Sequence, residues 1–406
     1  MEEMHLPENP FFTKVIIPDD YFCDRKKETE NIVNFIKNGQ NIVLKSPRRM
    51  GKTSLIMHIF DQPDIRNKYN TLFVDIYGTK NMQEFSREFQ TAFMDAPFAR
   101  TKRGSNKVRK LIAGAYVQMN LSPDGSIDGF QLGLNPTPDL LVPLREILGF
   151  LDKSEKPALV VLDEFQTILD YPEKASATIR SLVQKLSNTS FIFCGSSRHM
   201  LDKMFEYPNE PFYRSATPMN LGPISLDSYK DFSVDMFKRY KKEIDPSAVE
   251  MVYYLFSAGT YDMQEVMNGV FSHTGKGKKA DINTVLDSID DILDRRDSDF
   301  RDILSRMNNM KERKTLFCVA HEGLATEMTS SRMISTYKLD NASSVQYALN
   351  SLCSDEKNLV KRIGNAYMLR DRFFELWTVR SEKRIPTLLE NAKARYEREL
   401  ELQGAK

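Results

Sequence analysis

The chain has 406 residues, 41% hydrophobic and 28% charged, which is typical of a soluble globular protein of two or three domains. Its net charge of +1 gives no overall argument for a nucleic-acid partner. The start MEEMHLPENP lacks the apolar stretch of a signal peptide, and no apolar run approaches the about 18 residues that a membrane-spanning helix needs. We therefore expect a cytoplasmic protein with no membrane partner. The four scattered cysteines and five lone histidines indicate neither a disulfide framework nor a zinc site.

The first predicted elements are a strand, a loop and a helix. Residues 41–44 are a β-branched run, and residues 54–60 are apolar at helical spacing. The loop between them ends in Gly-Lys-Thr, as the phosphate-binding motif G-x-x-x-x-G-K-[ST] does. Arg48 and Arg49 are either phosphate contacts or solvated loop charges. The residues predicted to surround the phosphates are Ser46, Pro47, Arg48, Arg49, Met50, Gly51, Lys52, Thr53 and Ser54.

Within this loop, the backbone N–H groups of residues 49–53 would face a phosphate at the helix N-terminus. Lys52 would reach the β and γ phosphates, and Thr53 would offer its hydroxyl to magnesium. Ser46 stands where the motif has its first glycine, a replacement that is compatible with the loop if φ is negative there. Pro47 lacks an N–H, but that position precedes the main phosphate cradle. The loop is therefore predicted to be altered and still functional.

A strand over residues 71–76 and a helix from about residue 82 follow. Residues 100–136 then interrupt the alternation of strands and helices. They begin with the basic segment TKRGSNKVRK and continue as a hairpin around the turn Ser-Pro-Asp-Gly at residues 122–125. This insertion is either a partner-docking element or an ornament with a solvated basic lead-in.

The segment ALVVLDE at residues 158–164 reads as a buried strand that ends in two carboxylates, the form of a Walker B strand. Asp163 would hold the magnesium shell, and Glu164 would polarise the attacking water. The alternative is an ordinary strand end that is capped by two charged residues without a catalytic role.

A third strand, predicted over residues 190–194, leads directly into GSSRHM. In P-loop ATPases with an extra strand between the Walker elements, a polar residue at this strand end senses the γ phosphate. Ser196 or Ser197 could do so, with Arg198 near the phosphates. Further along, PFYR supplies Arg214, either a charge stabiliser in cis or in trans or an ordinary surface arginine.

From about residue 226 the pattern is helical and has the size of a small lid. After residue 299, three helices near 312–322, 330–337 and 342–353 and a hairpin with its turn at Gly364-Asn365 predict a winged helix. The third helix carries no lysine or arginine, and the hairpin offers only Lys361 and Arg362. DNA is thus a possible partner that the charge pattern does not favour. Gln346 and Asn350 are candidate base contacts or ordinary surface residues.

Together these motifs resemble a known family. PRRMGKTSL, LVVLDEFQTIL, CGSSRHM and EPFYR are similar to the motifs of the archaeal-type ATPase family of the STAND class, which is related to AAA+ proteins. FCDRKKE resembles the family's F-x-G-R-x-x-E box, with Asp24 in place of glycine, and NPFF resembles its lead-in. The resemblance implies that adenine is the base, that Arg25 lies near it, and that Arg214 is a functional arginine.

The resemblance covers roughly residues 9–380, and three positions depart from it. They are Ser46, Asp24 and the lid segment SAGTY at residues 257–261, where the family shows a Gly-x-Pro-like turn. Because of the last departure, it is open whether nucleotide controls the movement of the lid as it does in the family.

The element order and the resemblance predict an α/β fold, a P-loop NTPase parallel sheet of the AAA+-like type with its phosphate strand near the middle. The predicted parts are an N-terminal arm (1–20), an ATPase core (21–224, with the insertion at 100–136), a helical lid (225–295), a winged helix (296–380) and a charged C-terminal helix or tail (381–406).

The favoured function is a magnesium-dependent ATP-binding switch with slow hydrolysis, acting on an unidentified protein partner or through self-association. ATP or ADP and Mg²⁺ are the expected ligands. One alternative is an ATP-regulated DNA-binding protein that resembles origin-recognition ATPases, and another is a nucleotide-binding scaffold without turnover.

Overall fold

The computed structural model describes residues 7–99, 118–121, 127–131, 141–354, 357–380 and 390–404. The basic segment TKRGSNKVRK and the turn at residues 122–125 lie outside these ranges. No helix in the described ranges is both long enough and apolar enough to cross a membrane.

The chain forms two compact units. One, called here the ATPase unit, consists of Val15–Asp20 and Arg25–Gly222, and the other, called the helical unit, contains the residues up to Lys14, Tyr21–Asp24 and Pro223 onward. Eleven strands are seen in the described residues, numbered in chain order: β1 (Ile42–Lys45), β2 (Asn70–Asp75), β3 (Gln118–Leu121), β4 (Ile127–Gln131), β5 (Ala158–Asp163), β6 (Thr189–Gly195), β7 (Thr217–Asn220), β8 (Glu243–Ile244), β9 (Lys279–Ala280), β10 (Val360–Ile363) and β11 (Ala366–Leu369).

The ATPase unit is built on a five-stranded parallel sheet with the order β2-β5-β6-β1-β7. This confirms the predicted parallel sheet, although the phosphate strand β1 lies fourth and β6 is the central strand. All residues of β1 and β5 are buried, as expected for inner strands of a covered parallel sheet. β3 and β4 pair antiparallel, as the predicted hairpin requires.

The strand register decides which residues meet at one edge of this sheet. Lys45 pairs with Gly195, and Leu162 pairs with Phe193, so β1, β5 and β6 end at nearly the same level. The residues that follow these three strands therefore emerge side by side at the carboxyl edge, where ligands bind in sheets of this type.

The outer strand β7 has a proline at its second position. Thr217 and Leu221 donate their backbone N–H groups to Asn41 and Lys45, respectively, on the β1 side. Since alternate residues of a strand point their N–H groups in opposite directions, Pro218 occupies a position whose N–H would point away from β1.

Helices connect the strands of this unit. The helix predicted from residue 52 begins there and carries the chain from the phosphate loop, and Asn81 caps the helix after β2 by accepting from Glu84 N. The helix expected over 175–187 ends earlier, at Val183. The helices of the ATPase unit are Lys26–Lys37, Lys52–Asp61, Pro63–Arg66, Met82–Asp95, Val142–Asp152, Ala175–Val183 and Arg198–Glu206, with a 3₁₀ helix at Phe165–Asp170.

A cluster of four phenylalanines, called here the phenylalanine cluster, packs in the core of this unit. Phe165 directly follows Glu164, Phe193 lies in β6, Phe205 in the helix Arg198–Glu206, and Phe212 in the loop before β7. The ring of Phe212 lies 5.2 to 5.3 Å from the other three ring centroids. The cluster joins the end of β5 to the loop before β7.

The helical unit includes residues 7–14 of the predicted N-terminal arm, the residues predicted as the lid, and the winged helix. Phe11 is fully buried against Phe232, Phe237 and Phe271. Its helices are Leu226–Arg239, Pro246–Leu255, Thr260–His273, Ile282–Arg295, Asp297–Ser305, Met310–Glu322, Ser331–Thr336, Ala342–Cys353, Arg372–Arg380 and Ala392–Gly404.

The winged helix has the predicted three helices followed by the antiparallel hairpin β10–β11. The hairpin turns at Gly364, whose φ of 58° suits a glycine.

The C-terminal helix Ala392–Gly404 packs on the lid helix Pro246–Leu255 through Tyr396, whose ring lies 5.7 Å from that of Tyr253 and 5.9 Å from that of Tyr254. It also carries part of a charged cluster. Glu399 accepts from Ser257 Oγ at 2.7 Å and from Lys361 Nζ at 3.0 Å. The members of the charged cluster are Lys361, Arg372, Glu375, Arg395 and Glu399.

Candidate functional site

The loop after β1 has the backbone that its sequence requires. The helix begins at Lys52, and its cap Gly51 is left-handed with φ 81°. Arg49 is also left-handed, with φ 67°, whereas Ser46 is not among the described residues with positive φ. The absence of a glycine at position 46 therefore causes no backbone strain, which confirms that serine is compatible with this position.

Ser46 instead connects the loop to the neighbouring strand. It is fully buried, and its backbone N–H donates to the carbonyl of Gly195 at 3.2 Å. Its hydroxyl donates to the carbonyl of Pro47 at 3.1 Å. Both the backbone and the side chain of the altered position are therefore hydrogen-bonded.

The remaining loop side chains are placed as follows. Pro47 and Arg48 are exposed, and the guanidinium of Arg48 lies 5.6 Å from the ring centre of Tyr77. Met50 is half-buried, and so is Ser54 in the first turn of the helix.

The structure brings the loop to the two carboxylates that follow β5. Lys52 Nζ lies 2.5 Å from Asp163 Oδ1 and 3.4 Å from Glu164 Oε1. Thr53 donates its hydroxyl to Asp163 Oδ2 at 3.3 Å. Each of the four residues that the sequence assigned to phosphate, metal and water therefore lies within hydrogen-bonding distance of at least one of the others.

Charges and burial determine the electrostatics of this group. Burial by itself lowers the pKa of Lys52, but the negative charges of Asp163 and Glu164 outweigh it, so the pKa is raised. Burial raises the pKa of Glu164, but Lys52 and the hydrogen bonds from Gln166 and Ser196 reverse this, so the pKa is lowered. The ammonium and the carboxylate are thus both charged at neutral pH.

Glu164 has further partners on its second oxygen. Ser196 donates to Oε2 from its hydroxyl at 2.7 Å and from its backbone at 3.3 Å, and Gln166 donates to the same oxygen at 2.5 Å. Ser196 was predicted from its position after β6, whereas Gln166 was missed, because nothing in the sequence distinguishes it from other polar residues after a strand.

Lys45 is a second residue that the sequence did not indicate. It is buried at the end of β1, and its ammonium lies 2.6 Å from both Asp202 and Glu206. Both carboxylates belong to the helix Arg198–Glu206, so these ion pairs fix that helix against the strand that leads into the phosphate loop.

In the described part of the chain, the two predicted arginines, Arg198 and Arg214, lie outside this hydrogen-bonded group. Arg198 is exposed at the start of its helix, and Arg214 is exposed with its guanidinium 5.0 Å from the ring centre of Tyr213. Within the described part of the chain, neither guanidinium hydrogen-bonds to Asp163 or Glu164. Ser197 contacts His199 at 3.3 Å.

Arg25, predicted to lie near adenine, is buried and bonded to protein groups. Its guanidinium donates to Gly222 O at 2.7 Å and to Met50 O at 3.4 Å, and it pairs with Glu28 at 2.8 Å. Asp24, which replaces the family's glycine, has φ 58°. This left-handed conformation is one that glycine adopts freely and aspartate tolerates.

The other departure, in the lid turn, also has a structural account. Ser257 and Ala258 have φ values of 50° and 55°. The hydroxyl of Ser257 joins the charged cluster by accepting from Arg372 at 2.6 Å and donating to Glu399. This turn is therefore held by the C-terminal helix.

In the winged helix, the residues considered for DNA contact each other or other protein groups. Gln346 donates to Asn350 at 3.0 Å, and Lys361 is paired with Glu399 at 3.0 Å. Arg362 donates to the carbonyl of Gly364.

Comparison with known proteins identifies the fold and the family. Residues 22–265 match the family described as an ATPase domain predominantly from Archaea. The chain belongs to this family. Residues 298–380 match a probable winged helix domain, which confirms that prediction. No curated protein matches the chain.

Solved structures agree with this assignment. The Walker-type ATPase paby2304 of Pyrococcus abyssi is 16% identical, with a TM-score of 0.60 over 91% of this chain and 99% of that one. The ORC2 protein of Aeropyrum pernix, solved in ADPNP–ADP complexes, is 12% identical, with a TM-score of 0.54 over 98% of both chains. The protein is thus a P-loop ATPase with a winged helix, as predicted.

Proposed function

We propose that this ATPase is a magnesium-dependent nucleotide switch of the STAND type that hydrolyses ATP slowly. The observation that carries the proposal is the ion pair between Lys52 and Asp163, with Glu164 beside it. A phosphate in the loop would compete with these carboxylates for the lysine, so nucleotide binding changes the connection between the loop and β5. Differential affinity for ATP and ADP then biases the two arrangements.

The residues present suit both ligands. The left-handed Arg49 and Gly51 turn the loop into the N-terminus of an α-helix, the arrangement that binds phosphate. Thr53 Oγ1 and Asp163 Oδ2 supply two neighbouring oxygens, the donor type that Mg²⁺ prefers. Bound Mg²⁺ would neutralise charge on the phosphate oxygens. Glu164 would orient the attacking water, and Ser196 would sense the γ phosphate.

Slow turnover is proposed because Arg198 and Arg214 are exposed and make no hydrogen bond to Asp163 or Glu164 in the described structure. An arginine that reaches the transferred phosphate accelerates hydrolysis by about 10³ to 10⁵. We therefore assign Arg214 to a neighbouring copy's site, so that self-association speeds turnover.

The test is ATP and ADP binding with Mg²⁺ or with a chelator, together with phosphate release. Lys52→Ala should lose nucleotide binding, and Glu164→Gln should bind ATP and release no phosphate. Lys68→Ala removes an exposed lysine of the same unit and should behave as the natural chain. An unaltered Lys52→Ala protein would refute the phosphate role of this loop.

Action in trans has its own test. Every site of Arg214→Ala lacks the arginine, and every site of Glu164→Gln lacks the carboxylate, so neither variant alone should release phosphate at the natural rate. If Arg214 acts in a neighbour's site, mixing the two variants restores phosphate release. No recovery on mixing, at concentrations where the natural chain is fully active, would contradict this assignment.

DNA binding through the winged helix is the less favoured alternative, because Lys361 is already paired with Glu399. If it occurred, retention on duplex DNA would weaken steeply with salt. A nucleotide-binding scaffold would instead bind ATP tightly and release no phosphate, even at high protein concentration.

A further inference from the structure

We propose that Gln166 is a positioning residue for ATP hydrolysis. With Ser196, it fixes one carboxylate oxygen of Glu164 so that the other oxygen faces the nucleotide. The inference rests on the proposed function, in which Glu164 orients the attacking water.

The two oxygens of Glu164 have separate sets of partners. Oε2 accepts from Gln166 Nε2 and from the hydroxyl and backbone N–H of Ser196. Oε1 lies 3.4 Å from the ammonium of Lys52, the side chain that reaches the phosphates in loops of this type. One oxygen is therefore anchored in the protein, and the other is directed toward the phosphate side.

The amide of Gln166 can take only one orientation here. Turning it over would place its oxygen against the carboxylate oxygen of Glu164, and both are acceptors. In the orientation observed, Gln166 is buried and its Oε1 has no hydrogen-bond partner among the residues that the structure describes. Leaving a buried acceptor unpaired destabilises the fold, which an apolar side chain of similar size would not do. The amide is thus better explained by its effect on Glu164 than by stability.

The end of β6 is shaped around this amide. A Cβ atom at Gly195 would lie 2.0 Å from Gln166 Oε1 and 2.9 Å from Leu201 Cδ1. Only glycine leaves room for the amide in this orientation. Gly195 directly precedes Ser196. The end of β6 therefore makes space for the amide of Gln166 and also supplies Ser196, the other residue that donates to Glu164 Oε2.

The decisive variant is Gln166→Met, which keeps the length of the side chain and removes the donor. We expect kcat to fall about 10- to 100-fold, because a misplaced carboxylate no longer orients water. KM and the affinity for ATP should stay within about two-fold, since no hydrogen bond in the described part of the chain joins the side chain of Gln166 to the loop. The melting temperature should not fall. A purely structural role would lower it.

Gln90→Met is the matched control. Gln90 is a half-buried glutamine of the same unit whose amide donates to the carbonyl of Ser86 in its own helix. This variant should hydrolyse ATP at the natural rate.

The results separate this inference from the proposed function. If Glu164→Gln is inactive and Gln166→Met hydrolyses ATP at the natural rate, only the positioning role is wrong. A Gln166→Met protein that loses ATP binding and melts earlier would also overturn it. If Glu164→Gln hydrolyses ATP as fast as the natural chain, the proposed function fails and the positioning role fails with it.

Discussion

The guanidinium of Arg25 donates a 2.7 Å hydrogen bond to the carbonyl of Gly222, 197 residues further along the chain. It also donates to Met50 O in the phosphate loop and is only 4% exposed. A single buried side chain thus connects the start of the first helix, the phosphate loop and the residue where the ATPase unit ends.

Replacing Arg25 by methionine should therefore weaken both the fold and the site. We expect a loss of about 3 kcal/mol of unfolding free energy, because two backbone carbonyls lose the charged donor that the buried guanidinium supplies. ATP affinity should fall as well, since the loop is no longer held at Met50. Urea unfolding followed by circular dichroism and titration calorimetry measure the two effects. Arg66→Met, at an exposed position of the same unit, should leave both unchanged.

Ser46→Gly restores the first glycine of the motif, and we expect no gain in ATP affinity from it. Ser46 does not need positive φ, and it is fully buried. The added freedom of the unfolded chain should cost about 0.5 to 1 kcal/mol of stability. A clear increase in ATP affinity, measured by calorimetry, would show that the serine does impair the loop.

Asp24→Gly also restores a glycine of the family's motif, but we expect it to increase the free energy of unfolding. Asp24 holds a φ of 58°, so glycine relieves an unfavourable conformation. The unfolding free energy should rise by up to about 1 kcal/mol. Denaturant unfolding of the two glycine variants side by side tests this difference. If Asp24→Gly is the less stable protein, the left-handed conformation of residue 24 is not a source of strain.

Phe212→Ala should destabilise the ATPase unit by about 3 to 5 kcal/mol, because the side chain is completely buried in the phenylalanine cluster. Phosphate release should also fall, since Arg214 lies two residues further on. Unfolding by circular dichroism and an ATPase assay measure the two effects. Tyr207→Ala, which removes a 59% exposed ring from the same loop, should cost less than about 0.5 kcal/mol.

Glu399→Gln should destabilise the helical unit by about 3 kcal/mol at neutral pH, because it leaves the buried Arg372 with one carboxylate fewer. The single tryptophan of the chain, Trp377, lies in the helix Arg372–Arg380 and reports on this unit. Its fluorescence during urea unfolding measures the change.

The same substitution predicts a pH dependence. Burial alone would raise the pKa of Glu399. The charges of Arg372 and Lys361 and the hydrogen bond from Ser257 lower it by more, so the pKa of Glu399 lies below its ordinary value of 4.5. A lowered folded-state pKa contributes stability that is complete above 4.5 and is lost as the pH falls through the folded value. The natural chain should therefore lose more stability than Glu399→Gln between pH 7 and pH 4. Equal losses would mean that Glu399 is not charged in the fold.

Much of the site could be predicted from sequence because strand patterns and motif spacing are local. Parallel strands that end at one edge bring Lys52, Asp163 and Ser196 together without knowledge of side-chain contacts. The hydrogen bond from Gln166 to Glu164 Oε2 could not be predicted in this way, because Gln166 follows in a 3₁₀ helix and nothing local directs its amide. Arg25 shows the same limit, since its carbonyl partners lie 25 and 197 residues away.

The proline of β7 limits how copies of this protein can meet. An outer strand normally offers a row of free N–H groups on which another chain can add a strand. With Pro218 at one outward position of a four-residue strand, that row loses a donor near its middle. Continuation of the sheet from one molecule into the next is disfavoured on this side of the ATPase unit, and a meeting of two copies there would depend on side-chain surfaces.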